Sequence, residues 1–217
     1  MNTAVIIPTL GRHEQAVKCV AEFLRTSSAD VILCSEEPRS LYEAALVDPR
    51  VKFVALPEDT PSARGWNRGL RAFPNYDAYY LGQDDLWPEQ DWLNEVLRVH
   101  RETGATCIAT NDLHIHGMSL GAQYWMTREF IIRHNGGVMA CPHYRSWGLD
   151  VETNERAKRA RTYAWAEHAK VEHRHRIFGA ADDATYQKAK PSHYYDQLIM
   201  SNRKQNGWPD DFPAVIA

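Results

Sequence analysis

The first half of the chain alternates short, mostly apolar runs with segments whose apolar residues recur at helical spacing. The runs lie at residues 4–7, 30–34, 51–56, 78–81 and 106–110. Each has the length and composition of a strand that is buried on both faces. Between the runs, residues such as Val17, Val20 and Leu24 repeat every three or four positions, which predicts amphipathic helices. Strands that alternate with helices predict an α/β fold with a mostly parallel sheet.

Two prolines mark the expected starts of helices. Thr60 precedes Pro61, a pattern that predicts Thr60 as the N-cap and Pro61 as the first helical residue. Pro88 predicts a second start, with Glu89 and Asp91 in the first turn, where the helix dipole favours acids. Further helices are expected at 126–134, 150–165 and, more briefly, 194–200.

Length and composition narrow the class of protein. We expect the 217 residues to form one domain with a softer boundary near residue 115. A net charge of -3 excludes a protein that coats nucleic acid by charge alone. No apolar run approaches the ~18 residues of a spanning helix, and Pro8 ends the N-terminal run too early for a signal peptide. The sequence thus predicts no integral membrane contact and a cytoplasmic location, or the host cytoplasm if the protein is viral.

The clearest chemical signal is Gln83-Asp84-Asp85, at the end of a predicted buried strand. Adjacent carboxylates repel each other, and a hard divalent cation such as Mg²⁺ or Mn²⁺ removes that penalty. Mg²⁺ usually takes one or two protein carboxylates and completes its shell with phosphate oxygens and water. The motif therefore predicts a cation site for a nucleotide diphosphate. The alternative is a solvated acidic turn that caps the next helix.

Arg64, Asn67, Arg68 and Arg71 lie on one face of the helix after Thr60, opposite its apolar stripe. Arginine pairs bidentately with phosphate, and asparagine can bond a base or a sugar. This face is either a phosphate-binding surface or a solvated basic one.

Two further segments could carry chemistry. Asp150, which follows Trp147 at an expected helix start, is either a general base or an N-cap. His173 and His175 lie near a possible edge strand. Either histidine could complete a metal shell, or both could be structural.

Together these motifs resemble the family 2 glycosyltransferases of the GT-A fold. The motifs that carry the resemblance are 7–12, 35–37, 62–69, 83–85, 127–137 and 148–157. The resemblance runs from residue 3 to about 176 and implies a Rossmann-like sheet flanked by helices, with a smaller C-terminal acceptor-side region. It also implies a nucleotide-sugar donor, Mn²⁺ or Mg²⁺, and inversion at the anomeric carbon. Residues 1–115 would be the nucleotide-sugar-binding half and 116–217 the acceptor-side half.

The resemblance implies roles for residues on the donor side. Pro8, Thr9 and Glu36 fall where the family holds the nucleoside. Arg64 and Asn67 match a motif that faces the donor.

It also implies roles at the metal and on the acceptor side. Asp84 and Asp85 match the acidic motif, with Asp85 in the metal-binding place, and His173 falls near a histidine that helps to bind the metal or diphosphate. Asp150 matches the usual catalytic base, and Trp147 beside it is expected to contact substrate.

Two departures from the family pattern are Gln83, in place of an acid, and Leu149, in place of the Glu before the base. The leading interpretation is an inverting transferase that moves a sugar from a nucleotide-sugar, with UDP expected, to an acceptor hydroxyl. A catalytically degenerate nucleotide-sugar-binding module is the alternative. A nucleotidyltransferase fits less well, because residues 9–12 are sparse for a Gly-rich, basic phosphate loop.

The acceptor is left open between a soluble saccharide or polymer precursor and a hydroxymethylated DNA base. A locally basic stretch could serve DNA or form a solvated helix face; it comprises Arg156, Lys158, Arg159, Arg161, Lys170, Arg174 and Arg176. Aromatic residues that could stack on a base or a sugar are Tyr163, Trp165, Tyr194 and Tyr195.

Overall fold

A computed structural model gives the fold and describes residues 1–114, 120–175, 179 and 184–216. Within these residues the strands are β1 (Thr3–Thr9), β2 (Asp30–Ser35), β3 (Val51–Ala55), β4 (Ala78–Leu81), β5 (Leu86–Pro88), β6 (Cys107–Asn111), β7 (Tyr124–Thr127) and β8 (Tyr163–His173). The helices are α1 (His13–Thr26), α2 (Glu43–Leu46), α3 (Ser62–Ala72), α4 (Trp92–Thr103), α5 (Arg128–His134), α6 (Leu149–Arg159) and α7 (Ala184–Gln205), with a 3-10 turn at Arg39–Tyr42.

The strands form one sheet in the order β3-β2-β1-β4-β7-β6-β8-β5. Strands β1 to β4 pair in parallel, whereas β7 enters antiparallel between β4 and β6. Strand β8 runs parallel to β6, and β5 closes the order antiparallel to β8. The α/β class with a helix-flanked sheet is therefore confirmed.

Both faces of the sheet are covered, as the apolar runs predict. Val5 and Ile7 of β1 point into a core that α1 and α4 close. Ala4 and Ile6 point into a second core beneath α3, α5 and α6. This alternation leaves the carboxyl ends of the parallel strands as the open edge on which a site can form.

The expected helix starts at both prolines are wrong. Pro88 ends strand β5, because this segment pairs with β8, and helix α4 begins only at Trp92. Helix α3 begins at Ser62 with Pro61 in the N-cap position, since the Thr60 hydroxyl donates to the Pro57 carbonyl instead of capping the helix.

Two helices in the second half were expected with the wrong bounds. Residues 124–127 form strand β7 because they pair with both β4 and β6, so α5 begins after them. Helix α6 ends at Arg159, and the left-handed Arg161 (φ 58°) turns the chain into β8, which places Trp165 on a strand. Helix α7 is much longer than expected.

Other expectations concern the whole chain. All four cysteines are buried free thiols. Among the described residues, no helix combines the length and the apolar character that a membrane crossing requires.

The expected boundary near residue 115 borders residues 115–119, which lie outside the described residues, so the division into halves stays a prediction.

Candidate active site

The acidic loop after β4 lies against the end of β1. The Thr9 hydroxyl donates to Oδ2 of Asp84 over 2.7 Å, and Nη1 of Arg12 donates to Oδ1 of the same residue over 3.1 Å. The same Arg12 nitrogen lies 4.0 Å from Oδ2 of Asp85. Both acids are buried, so a guanidinium and a hydroxyl from the first loop partly balance their charge.

Packing fixes the backbone of this loop from both sides. The Trp66 indole donates to the carbonyl of Gly82 over 2.7 Å, and the Cys19 thiol donates to the carbonyl of Gln83 over 3.2 Å. A Cβ on Gly82 would lie 2.7 Å from a methyl of Val5, so only glycine allows this close approach to β1. The position of the acids is therefore set by the core and not by the loop alone.

The pKa of Asp84 depends on its burial and on the charges around it. Burial raises the pKa of Asp84 to about 6, and the charge of Asp85 adds to this increase. Arg12 and Thr9 oppose the increase because they interact with the ionised carboxylate. An added cation nearby would likewise favour the ionised form of Asp84.

His173 completes the cluster from the end of β8. Its Nε2 atom lies 3.4 Å from Oδ1 of Asp85. On its other side, Nδ1 lies 3.2 Å from Nε2 of Gln123, and the His175 ring is 5.2 Å away between centroids. His173 therefore contacts the acidic motif, while the choice between His173 and His175 as metal ligand stays a prediction.

This donor set fits a divalent cation. Adjacent ligands of an octahedral Mg²⁺ lie about 3 Å apart, because each bond is about 2.1 Å long. The separation of Asp85 and His173 is close to that value. Within the described residues no group of three or more His, Cys, Asp or Glu side chains is arranged to hold a metal. A cation here would therefore take its other ligands from phosphate and water, and metal binding stays a prediction.

The residues expected at the nucleoside lie on the same edge of the sheet. Pro8 is partly buried near the end of β1, and helix α3 packs so closely that a Cβ on Gly65 would lie 2.9 Å from it. Glu36 directly follows β2, the neighbour of β1, and its Oε2 accepts from the backbone N–H of Asp59 over 2.6 Å. The fold thus gathers Pro8, Thr9 and Glu36, while their contact with a nucleoside stays a prediction.

On α3, Arg64 and Asn67 have different environments. Arg64 is exposed and lines two cavities of about 180 Å³ each. Asn67 is buried, and its amide donates to the carbonyl of Ala140 over 2.7 Å and accepts from the N–H groups of Met139 and Ala140. Asn67 therefore does not lie on an open face as expected. The role that the geometry gives it is to fix the loop after α5, and contact with a donor stays a prediction.

The loop that precedes α6 is held by a carboxylate from α7. Asp196 is fully buried and accepts the backbone N–H groups of Arg145, Ser146 and Trp147 over 2.8 to 2.9 Å. The Trp147 ring packs on His193 of the same helix, with centroids 4.5 Å apart. Helix α7 therefore sets the path of the chain into the segment that carries the predicted base.

Asp150 is the second residue of α6 and is partly exposed. The N-cap position belongs to Gly148, whose φ of 81° suits glycine, so Asp150 does not cap the helix. The Tyr124 hydroxyl donates to the backbone carbonyl of Asp150 over 3.1 Å and anchors this turn to β7. The geometry thus removes the N-cap alternative, while the role as base stays a prediction.

Glu152, the nearest other carboxylate on α6, is structural. It is buried, lies 2.9 Å from Arg156 and 2.8 Å from Arg203, and accepts from the Tyr144 hydroxyl over 3.0 Å. Its carboxylate oxygens are thus taken up by donors of the same chain in the buried interior, where they cannot serve a substrate. Arg203 and this ion-pair network were not visible to sequence reasoning.

Three residues of the basic stretch at 156–176 are paired with acids of the same chain. Arg156 is buried against Glu152. Lys170 lies 3.6 Å from Glu89, and Arg174 pairs with Glu172 over 2.7 Å. Arg176 lies outside the described residues. Within the described residues, the pairing of Arg156, Lys170 and Arg174 reduces the cationic charge of the stretch, while its use for DNA stays a prediction.

Sequence reasoning missed three polar residues near the site: Arg12, Gln123 and Asp196. Arg12 belongs to the loop after β1, so its place beside the end of β4 follows from strand adjacency. Gln123 and Asp196 reach the site only through tertiary packing, and no local signal marks them.

No protein-family model matches the sequence, and no curated protein matches it. Solved structures of TarS from S. aureus, a glycosyltransferase, are similar in fold. The structure of TarS residues 1–349 has a TM-score of 0.60 at 11% identity and covers 77% of this chain and 58% of that one. The same fragment in complex with UDP gives a TM-score of 0.58 with the same identity and coverage.

The fold is a GT-A-like glycosyltransferase fold. A longer TarS structure gives a TM-score of 0.60 at 11% identity, but this chain spans only 35% of its length. At this identity the similarity establishes the fold alone. Family 2 membership and inversion stay predictions.

Proposed function

We propose that the chain is an inverting glycosyltransferase that moves a sugar from a nucleotide-sugar, with UDP as the expected nucleotide, to an acceptor hydroxyl. The observation that carries the proposal is the meeting of Asp85 and His173, 3.4 Å apart, at the carboxyl edge of the sheet. That edge is where open α/β sheets bind their ligands. The GT-A-like fold supports the same conclusion.

On the donor side, Pro8, Thr9 and Glu36 are suited to hold the nucleoside, and the exposed Arg64 is suited to the diphosphate or the sugar. Asp85 and His173 would hold Mn²⁺ or Mg²⁺. Such an ion, when bound, acts as a Lewis acid that stabilises negative charge on the diphosphate.

On the acceptor side, Asp150 is the proposed general base. The acceptor oxygen attacks the anomeric carbon from the face opposite the diphosphate and gives its proton to the Asp150 carboxylate. The new C–O bond forms as the bond to the diphosphate oxygen breaks, and the diphosphate leaves with the electron pair. A positioned base contributes about 10²–10⁴-fold to such a step. Trp147, packed on His193 beside this turn, is suited to contact a sugar face.

The test is a screen of nucleotide-sugars with Mn²⁺ in which released nucleoside diphosphate is measured. We expect turnover or slow hydrolysis with one class of donor, UDP-sugars first. The same screen with Asp85→Ala should give no release above background. If no nucleotide-sugar binds or reacts, in calorimetry or in the screen, the proposal is wrong.

Gln83 and Leu149 favour a second candidate, a nucleotide-sugar-binding module without catalysis, because each replaces an acid of the family pattern. This candidate predicts that UDP-sugars bind with Mn²⁺ and that no donor turns over with any acceptor. Measured side by side, binding and turnover separate the two functions.

A further inference from the structure

The exposed face of α3 carries three arginines without acidic partners. Arg64, Arg68 and Arg71 are exposed and follow each other at i, i+4 and i+7, which spreads them over about 10 Å of helix. In the part of the chain that the structure describes, no carboxylate lies within ion-pair distance of any of them. Elsewhere, exposed and partly exposed arginines are paired with acids: Arg25 with Glu22, Arg50 with Asp48, Arg98 with Glu95, and Arg133 with Glu129.

These arginines border a groove with an apolar floor. A cavity of about 180 Å³ lies beside α3, and its walls include Arg64, Arg68 and Arg71. Its floor is formed by Val138, Pro142, Pro213 and Val215. Cationic walls over an apolar floor suit a ligand that carries both negative charge and flat, weakly polar faces.

A second cavity of about 180 Å³ continues from the first, because both include Arg64 and Pro142. It adds Arg145 and Tyr195, and its one lining carboxylate is Asp59. We refer to the two cavities together as the α3 groove. The α3 groove extends from Arg71, near the C-terminal end of α3, to Arg145. The loop at 145–147 leads directly to the first turn of α6, which contains Asp150.

The lining of the α3 groove indicates the class of its ligand. A neutral saccharide would leave the arginine charges without a partner. A polyol phosphate would supply charge but no flat ring for the floor. A nucleic-acid strand supplies both, since phosphates pair with arginine and bases stack on apolar, aromatic and guanidinium surfaces. Tyr195 at the second cavity is 48% exposed, and its neighbour Tyr194 is 70% exposed, so aromatic faces for stacking are accessible.

We propose that the α3 groove binds a single strand of nucleic acid and directs a hydroxymethylated base of that strand, whose hydroxyl is the acceptor, toward Asp150. The acceptor role rests on the proposed glycosyltransferase function, whereas strand binding does not. The cationic surface for this strand is thus the face of α3 and not the basic stretch at 156–176.

The binding test measures the fluorescence anisotropy of a labelled oligothymidylate with the full chain, without donor or metal. We expect affinity that falls as salt is raised. Arg68→Glu and Arg71→Glu should each weaken binding about tenfold or more and reduce the salt dependence by about one ion, as expected for a lost phosphate contact. Arg68→Lys should retain most of the affinity, because the charge remains.

The matched control is Arg101→Glu, which reverses an exposed arginine of α4 that also has no ion pair within the described residues. Its affinity for the oligonucleotide should be unchanged. Absence of binding at low salt, or an equal loss in Arg101→Glu, would overturn the proposal. Equal or tighter binding of poly(glycerol phosphate), measured by competition, would overturn the assignment to nucleic acid.

Calorimetry with UDP and Mn²⁺ separates this inference from the proposed function. Arg71→Glu should bind UDP as the unaltered chain does, since Arg71 lies two helical turns from Arg64 and is not among the donor residues. A chain that binds the oligonucleotide but no nucleotide-sugar would refute the transferase proposal and the acceptor role alone. A chain that turns over UDP-sugars but binds no oligonucleotide would refute strand binding alone.

Discussion

The Oδ1 atom of Asp85 lies 3.4 Å from the Nε2 atom of His173, although one residue follows β4 and the other ends β8. These strands are not neighbours in the sheet. The two side chains meet because β5, which begins directly after Asp85, pairs with the end of β8. The short strand β5 thus brings the acid from one half of the chain to the imidazole from the other.

This relationship predicts that Asp85→Ala loses Mn²⁺-dependent binding of UDP while the fold is retained. The reason is that one of the two protein donors of the proposed cation site is removed. His173→Ala should weaken the same binding, though less, because carboxylate is the preferred ligand of Mn²⁺. Isothermal calorimetry with and without Mn²⁺ measures the effect.

Binding of UDP in the presence of chelator serves as the internal control and should not differ among the proteins. Unchanged affinity of Asp85→Ala with Mn²⁺ would contradict the assignment.

Asp150→Asn should bind the donor normally and lose transfer by about 10²-fold or more, because a general base acts in the chemical step. Its stability should be nearly unchanged, since Gly148 and not Asp150 occupies the N-cap position. The measurements are single-turnover rates and the thermal midpoint. Normal transfer in the variant would show that another group accepts the proton.

Glu152→Gln should be destabilised by about 3 kcal/mol, the low end expected for a broken buried ion pair. The low end applies because Arg156 and Arg203 retain Asp210 and Asp211 as partners. Urea unfolding measures the change. Glu155→Gln is the matched control, because Glu155 is exposed on the same helix, and its stability should stay within about 0.5 kcal/mol of the original. If Glu152→Gln folds normally and is inactive, Glu152 and not Asp150 acts in the reaction.

Asp196→Asn should lower the free energy of unfolding by about 2 kcal/mol, the range for a hydrogen bond to a charged group. The carboxylate accepts three consecutive backbone N–H groups, and an amide would turn its own N–H₂ group toward at least one of them. Urea unfolding and the fluorescence of Trp147, which lies in this loop, report the effect. Ser201→Ala, on the exposed side of the same helix, should change neither. Normal stability of Asp196→Asn would show that the loop does not depend on this carboxylate.

The parallel core of the fold and the acidic loop could be predicted because their signals are local. A strand that is buried on both faces has to be apolar throughout, so β1, β2 and β4 are visible as runs. Asp84 and Asp85 follow such a run directly, which places them at the carboxyl edge without knowledge of the tertiary structure.

Features that depend on distant partners could not be predicted. Met126 and Thr127 belong to the segment predicted as a helix at 126–134, and only the pairing of β7 with β4 and β6 makes them part of a strand. Asn67 was expected on an open face, but the loop at 139–140 covers it. Asp196 lies beyond the region of family resemblance, so neither pattern nor family pointed to its role.

Strand β7 has a consequence for the order in which the protein can be made. It supplies the second neighbour of β4, so the edge of β4 stays without a partner until residue 127 has left the ribosome. An open edge of this kind is a site for association with other chains. The parallel half is therefore expected to complete its folding only when the following segment arrives, so the two halves should unfold and refold as one cooperative unit.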